Sequence, residues 1–149
     1  PTQKRSLVRG AIALLLQRPA LALDLEPPYT FGVLRQPGVP LLAELIALVR
    51  ERPEITTGAL LEHFAEREEG AALQKLAMQT PLTEPQAWSA EFIGAMRRLE
   101  LDALKQERDD LNQKVRSSGI SSLDAHEKFR IREIETVIRS TESRLEGNR

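Results

Sequence analysis

Leu104-Lys105-Gln106-Glu107-Arg108-Asp109-Asp110-Leu111-Asn112-Gln113-Lys114-Val115-Arg116-Ser117-Ser118-Gly119-Ile120-Ser121-Ser122 is the stretch on which the reading of this chain turns. Its first two-thirds are rich in good helix formers and hold neither proline nor glycine. Its end, a run of serines around Gly119, is a helix breaker. Beyond the break, Ile131, Ile134, Ile138 and Leu145 recur at alternating steps of three and four, with Thr141 in one slot and Val137 widening the stripe. Helix, break, helix predicts an antiparallel hairpin, the second helix folding back on Leu104, Leu111 and Val115. Gly119 is placed to end the first helix in the left-handed conformation, with Ile120 packing against Val115. Ser121 with Asp124 can cap the second helix. Between Leu104 and Leu111, about 10 Å of helix at 1.5 Å per residue, no side chain is apolar. A helix polar all round over that distance predicts a bridge between two packed units.

Upstream the texture changes near Pro85. After it there is no proline, and glycine occurs only at 94, 119 and 147. Before it, proline and glycine repeatedly break short apolar stretches. Leu7, Val8, Ala11, Ile12, Leu15 and Leu16 predict a first helix with little polar face, stopping before Pro19 because the residue before proline avoids the helical region. Pro19 can open a short following helix. Residues 26–40 read as an irregular connection pinned by Tyr29 and Phe31, and 30–34 is a weak candidate strand. Leu41, Leu42, Leu45, Ile46, Leu48 and Val49 predict a helix closed by Pro53. Thr56 or Thr57 can cap one carrying Leu60, Leu61 and Phe64. Gly70 separates that from a helix over 71–78. Thr83-Glu84-Pro85-Gln86 resembles a capping box, and Trp88, Phe92, Ala95, Met96, Leu99 and Ala103 make one stripe expected in the core. The predicted fold is all-α: a compact multi-helix bundle over 1–100 and a helical hairpin over 101–149, with a long helix of about 84–117 bridging them.

Composition narrows the function. At 149 residues the chain fits one domain, or one and a small appendage. Hydrophobic residues are 41% and aromatics 4%, so the core is mainly aliphatic. The net charge of −1 argues against wholesale phosphate binding, which needs concentrated Lys and Arg. No cysteine is present, so disulfides, thiolate zinc sites and cysteine nucleophiles are excluded. No apolar run approaches the roughly 20 residues that span a bilayer, and Gln17-Arg18-Pro19 ends the only signal-like stretch. Pro1 in place of Met predicts a piece of a longer chain.

Catalytic patterns are missing. His63 and His126 have no histidine or cysteine neighbours at metal-ligand spacing, there is no glycine-rich phosphate loop and no Gly-x-Ser-x-Gly elbow. No catalytic residue, cofactor or metal is therefore expected. Two features stand above this background. Lys4, Arg5 and Arg9 cluster on the first helix and could take an acidic peptide. The last helix has a broad apolar stripe for so thin a structure, and Val137, Ile138 and Leu145 are expected to be partly left for a partner.

The runs Arg9–Ala22, Gly38–Leu45, Pro53–Phe64, Leu73–Ala77 and Glu91–Met96 resemble, in that order, the C-terminal helicase-binding domain of bacterial primase. The match covers about residues 4–100; beyond 104 the architecture agrees and the sequence only loosely. The resemblance implies an interaction domain of a cytoplasmic enzyme that makes RNA primers, with the zinc-binding and polymerase domains upstream. It implies docking of the hairpin on the N-terminal domain of the hexameric replicative helicase, and Ile131, Ile134, Val137, Ile138, Arg144 and Leu145 are the expected contacts. It also implies, as in some members, a site for the acidic tail of single-stranded-DNA-binding protein, here Lys4, Arg5 and Arg9. A monomer with no direct nucleic-acid contact and no membrane association is expected. The rival readings are a helical nucleic-acid-binding domain, which would need a basic base-reading face, and a coiled-coil dimer, against which 105–110 and Gly119 argue.

Overall fold

The computed structural model describes residues 6–147, with side chains as far as Leu145. It contains six α-helices among the described residues: α1 (Leu7–Gln17), α2 (Val39–Glu51), α3 (Thr57–His63), α4 (Gly70–Met78), α5 (Trp88–Ser118) and α6 (Ala125–Gly147), with no strand. The chain divides into two compact units, one ending at Leu99 and one beginning at Glu100, and α5 contributes to both.

In the first unit α1 is the axis. Ser6 caps it by accepting the Arg9 amide at 3.1 Å. Val8 and every residue from Ala11 to Leu16 are buried, so the helix needs neighbours on nearly all sides. They are α2, α3, α4 and the 3₁₀ segment Pro19–Asp24. The helix ends at Gln17, as the proline at 19 requires. The restart after it is 3₁₀ rather than α. The 26–40 connection is held by buried Phe31, whose ring stacks on Tyr29 at 5.6 Å. Residues Phe31–Val33 form one 3₁₀ turn, so the weak strand expected there does not exist.

Two glycines are dictated by packing. Gly38 precedes α2 with φ 88°, and a Cβ there would meet Val8 Cγ1 at 3.0 Å. At Gly70 a Cβ would fall 2.7 Å from the carbonyl oxygens of Phe64 and Ala65. The two threonines before α3 divide the work: Thr56 accepts the Ala59 amide, while the Thr57 hydroxyl donates to the Leu16 carbonyl at 2.7 Å. The capping box expected at Thr83–Gln86 is not formed. A 3₁₀ turn, Pro85–Ala87, leads into α5 instead, and Thr83 donates to the Glu91 carboxylate at 2.7 Å. Phe92, Met96 and Leu99 are fully buried, and Trp88 lies half-buried beneath the Arg18 guanidinium, 4.9 Å from its ring centre.

The second unit is a hairpin with a narrow core. Leu101, Ile134 and Ile138 are buried together, and Leu104, Leu111 and Leu145 pack against them. The connection differs from the expected Schellman form. Gly119 has φ 83° and ψ 161°, an extended conformation essentially reserved for glycine. Ile120 opens a 3₁₀ turn and is exposed rather than packed on Val115. Asp124 and Glu127 cap α6 reciprocally: the Glu127 amide donates to Asp124 at 2.7 Å, and the Asp124 amide donates to Glu127 at 3.1 Å. The 105–110 run lies inside this unit, and its Lys105 and Glu107 pair with Glu142 and Arg130 of α6. It is not the bridge that its lack of apolar residues suggested.

With so few buried residues the hairpin depends on each one. Ile138→Ala should cost about 2–5 kcal/mol and abolish hydrogen-exchange protection of α6 amides. Protection in α1 to α4 should be unchanged.

Candidate functional site

Two places offer recognition chemistry, one in each unit. The first is α6. Its core stripe runs through Ile134, 0% exposed, and Ile138, 3% exposed. Phe129 precedes Ile138 by nine residues, two and a half turns, so it projects from the opposite side of the helix. It is 63% exposed, and Val137 is 41% exposed. Around them the outer surface is polar or charged: Arg132, Glu133, Thr136, Arg139, Ser140 and Arg144 are all exposed.

The expected contact set, Ile131, Ile134, Val137, Ile138, Arg144 and Leu145, therefore separates. Ile134 and Ile138 belong to the interior of the hairpin and are not available on its surface. Leu145 packs against that interior and Ile131 is half-buried. Val137 and Arg144 are outside. Phe129 was missed because it lies off the 3-4 stripe; an aromatic opposite a helix's apolar face was the signal that could have revealed it.

Ion pairs close the hairpin around its core. Arg130 of α6 donates from Nε and Nη2, one edge of its guanidinium, to the two carboxylate oxygens of Glu107 on α5, at 2.7 and 2.9 Å, and its Nη1 pairs with Glu133. Lys114 pairs with Glu127 at 3.0 Å, and Lys105 with Glu142 at 3.5 Å. The hydrogen bonds from Arg130 hold the Glu107 carboxyl below the usual carboxylate range. Glu127 is lowered mainly by the Asp124 amide, then by Lys114. Burial pushes Asp102 the other way, against the nearby charge of Lys105.

The second place is a groove of about 640 Å³ in the bundle. Leu7, Gly10, Ala13, Leu14 and Gln17 of α1 form one wall, Gln79–Thr83 another, and Glu91, Gly94, Ala95 and Arg98 of α5 the third. The Gln17 amide fixes the second wall by donating to the Ala77 and Gln79 carbonyls at 3.0 and 3.1 Å. Arg9 is exposed and stands four residues before Ala13, on the flank of the same helix face. Lys4 and Arg5, the other two residues of the expected acidic-peptide site, lie outside the described residues. Arg98, which the sequence reading did not single out, is exposed and lines the groove.

No three His, Asp or Glu side chains converge for a metal among the described residues. No helix of the described residues is long and apolar enough to cross a membrane. His63 makes an edge contact with Phe64.

Fold and surfaces together define an all-helical module of two parts, a bundle with a groove and a hairpin with an exposed outer face. Residues 8–134 match the family described as DNA primase DnaG DnaB-binding, and the chain belongs to that family. The DNA primase of Pasteurella multocida is 39% identical over 121 residues, covering 79% of this chain. That of Escherichia coli K12 is 30% identical over 122 residues, covering 82%. The chain spans 20% and 21% of the length of those relatives. The solved C-terminal domain of Vibrio cholerae DnaG primase superposes with a TM-score of 0.70 at 30% identity, covering 89% of this chain and 96% of that one.

Acid should loosen the hairpin selectively. A carboxyl whose folded pKa is depressed adds stability that is complete above its unfolded value, about 4.3 for Glu, and is lost as pH falls through the folded value. Glu107 and Glu127 both have this sign, while Asp102 opposes them. The net expectation is a fall in α6 stability below about pH 4.3, followed by hydrogen exchange. In Glu107→Gln that fall should be shallower.

Proposed function

We propose that this chain is a non-catalytic docking domain that ties a bacterial primase to its hexameric replicative helicase, DnaB. In that role it keeps RNA primer synthesis at the advancing fork. The observation that supports the reading most is the outward face of α6: a large exposed aromatic, Phe129, with exposed Val137 about two turns further along, on a helix whose opposite side already has its own core. Apolar side chains set in a polar surround fit the centre of a protein interface. The family match adds the identity of the partner. Arg144, exposed on the same outer side of α6, is suited to the rim. The domain acts in the cytoplasm as a monomer, needs no cofactor, and makes no direct contact with nucleic acid.

The bundle supports a second, smaller role: taking the acidic tail of single-stranded-DNA-binding protein. The groove along α1 has a largely apolar lining, with Arg9 on its flank. A cation beside apolar surface is what an acidic peptide with apolar residues requires.

Calorimetric titration into the N-terminal domain of the helicase tests the first role. Phe129→Asp with Val137→Asp should weaken binding at least about tenfold, with circular dichroism unchanged because neither residue is in the core. Normal binding by that double variant would remove the α6 face from the interface. For the second role, Arg9→Glu should weaken an acidic tail peptide several-fold and leave helicase affinity alone. Equal peptide affinity in both proteins would reject the basic flank.

A further inference from the structure

The charges of α6 divide into those the hairpin uses and those it leaves. Glu127, Glu133 and Glu142 are engaged, by Lys114, Arg130 and Lys105. Of the helix's cations, Arg130 alone is engaged among the described residues. Lys128, Arg132, Arg139 and Arg144 are exposed and have no ion pair among the described residues. Half-buried Glu135 is the one acid of α6 left with them among the described residues. A chain whose net charge is −1 thus turns a local excess of positive charge outward on this helix. The excess is one-sided. At 3.6 residues per turn, the steps from Phe129 to Arg132 and to Arg139 fall just short of whole turns, and Lys128 lies on that same side. The steps from Phe129 to Glu133, Val137 and Arg144 overshoot whole turns, which puts those three on the other side. There the charge of Glu133 is already met by Arg130. Lys128, Arg132 and Arg139 therefore form a basic flank about 16 Å long beside Phe129.

We infer that the protein surface seated on Phe129 presents an acidic strip beside its apolar pocket, and that Lys128, Arg132 and Arg139 read that strip. This rests on the docking reading above and adds to it the chemistry of the facing surface and the sense in which it lies. The flank is free to act because no internal pair has to break. Lys128 and Arg132 stand four apart, a like-charge spacing that is unfavourable in the free helix, and an opposing acid relieves it. The asymmetry gives direction. A partner turned end for end would carry its acids to the side of Val137 and Glu133, where they meet a carboxylate and an apolar side chain, so the two orientations differ in energy. A nucleic-acid backbone is the other polyanion a basic flank can meet. Glu135 lies between Arg132 and Arg139, and the flank borders a large exposed aromatic. An acid set within the row disfavours a continuous line of phosphates, and an apolar centre with a charged rim fits a protein.

The experiment measures association kinetics of the 149-residue chain with the N-terminal domain of the helicase at low and at high salt. The variants are Arg132→Glu with Arg139→Glu, Arg132→Lys with Arg139→Lys, and Lys75→Glu, an exposed cation of α4 in the bundle, as control. Circular dichroism confirms that each is folded. A single-stranded oligonucleotide is titrated in parallel. The double charge reversal should slow association about tenfold or more at low salt, because complementary exposed charges act mainly on the rate of encounter. At high salt the difference should close, since such charges are screened. The lysine pair and the Lys75 control should behave as wild type at both. If wild type binds and the reversal is no slower than the control, the acidic strip is overturned while the docking reading stands. If the oligonucleotide binds wild type, loses affinity on reversal, and the helicase domain is indifferent to it, the flank is a phosphate site and the strip is again overturned. If wild type fails to bind the helicase domain at either salt, the docking reading fails and the inference fails with it.

Discussion

The bundle depends on one constraint: α1 has almost no side that water can touch. Val8 and the run from Ala11 to Leu16 leave a helix of eleven residues with seven of them buried. A helix apolar around most of its circumference must be enclosed, and one partner cannot enclose it. The chain therefore supplies several short elements, each stopped by proline, glycine or a cap before it outgrows the axis it covers. The side-chain ties follow the same logic. Thr57 donates to the Leu16 carbonyl at the end of α1, and the Gln17 side chain donates to the Ala77 and Gln79 carbonyls at the end of α4, so polar contacts tie both helix ends to their neighbours. The groove lies along the stretch of α1 where Gly10 and Ala13 leave room between the walls.

The hairpin solves the opposite problem. Two helices can bury only the seam between them, here Leu101, Ile134 and Ile138 with three partly covered leucines. Exposed ion pairs contribute little each, about 0–1 kcal/mol, so the seam supplies most of the stability. A residue committed to it cannot also serve a partner. That is why a docking face on α6 has to use the far side, where Phe129 stands, and why this face is sparsely apolar.

Helix order and the all-α class were legible in the residues because period and breakers agree: Pro19, Pro53, Gly70 and Pro85 each fall at or near a change of element, and the isoleucine stripe of α6 is regular. What misled was the assumption that a stripe facing inward and a surface facing a partner could be told apart by periodicity. Ile134 and Ile138 satisfy a helical period whichever they touch, and only the position of α5 assigns them to the core. The polar run 105–110 misled for a related reason. Lacking apolar residues, it looked unsupported, yet Glu107 and Lys105 find partners on α6, and cross-helix pairing leaves no periodic trace in one helix alone. Gly119 was legible as a break, but its backbone angles follow from the path into the 3₁₀ turn, which depends on where α6 must begin. Arg98 could not be distinguished from other surface arginines until α1 was laid beside it.

The order of charges across the hairpin has a consequence for register. Along α5 the paired residues run Lys105, Glu107, Lys114; facing them on α6 are Glu142, Arg130 and Glu127. The sequence of signs is plus, minus, plus against minus, plus, minus. A slip that set Glu107 against Glu127 or Glu142, or Lys114 against Arg130, would place like charges together, and such contacts are unfavourable by amounts similar to those the native pairs contribute. The seam alone, with aliphatic residues at repeating steps, would tolerate several alignments. The alternating signs make the native alignment the one in which all three of these layers are matched, so the pairs act less as glue than as a key to how the two helices close.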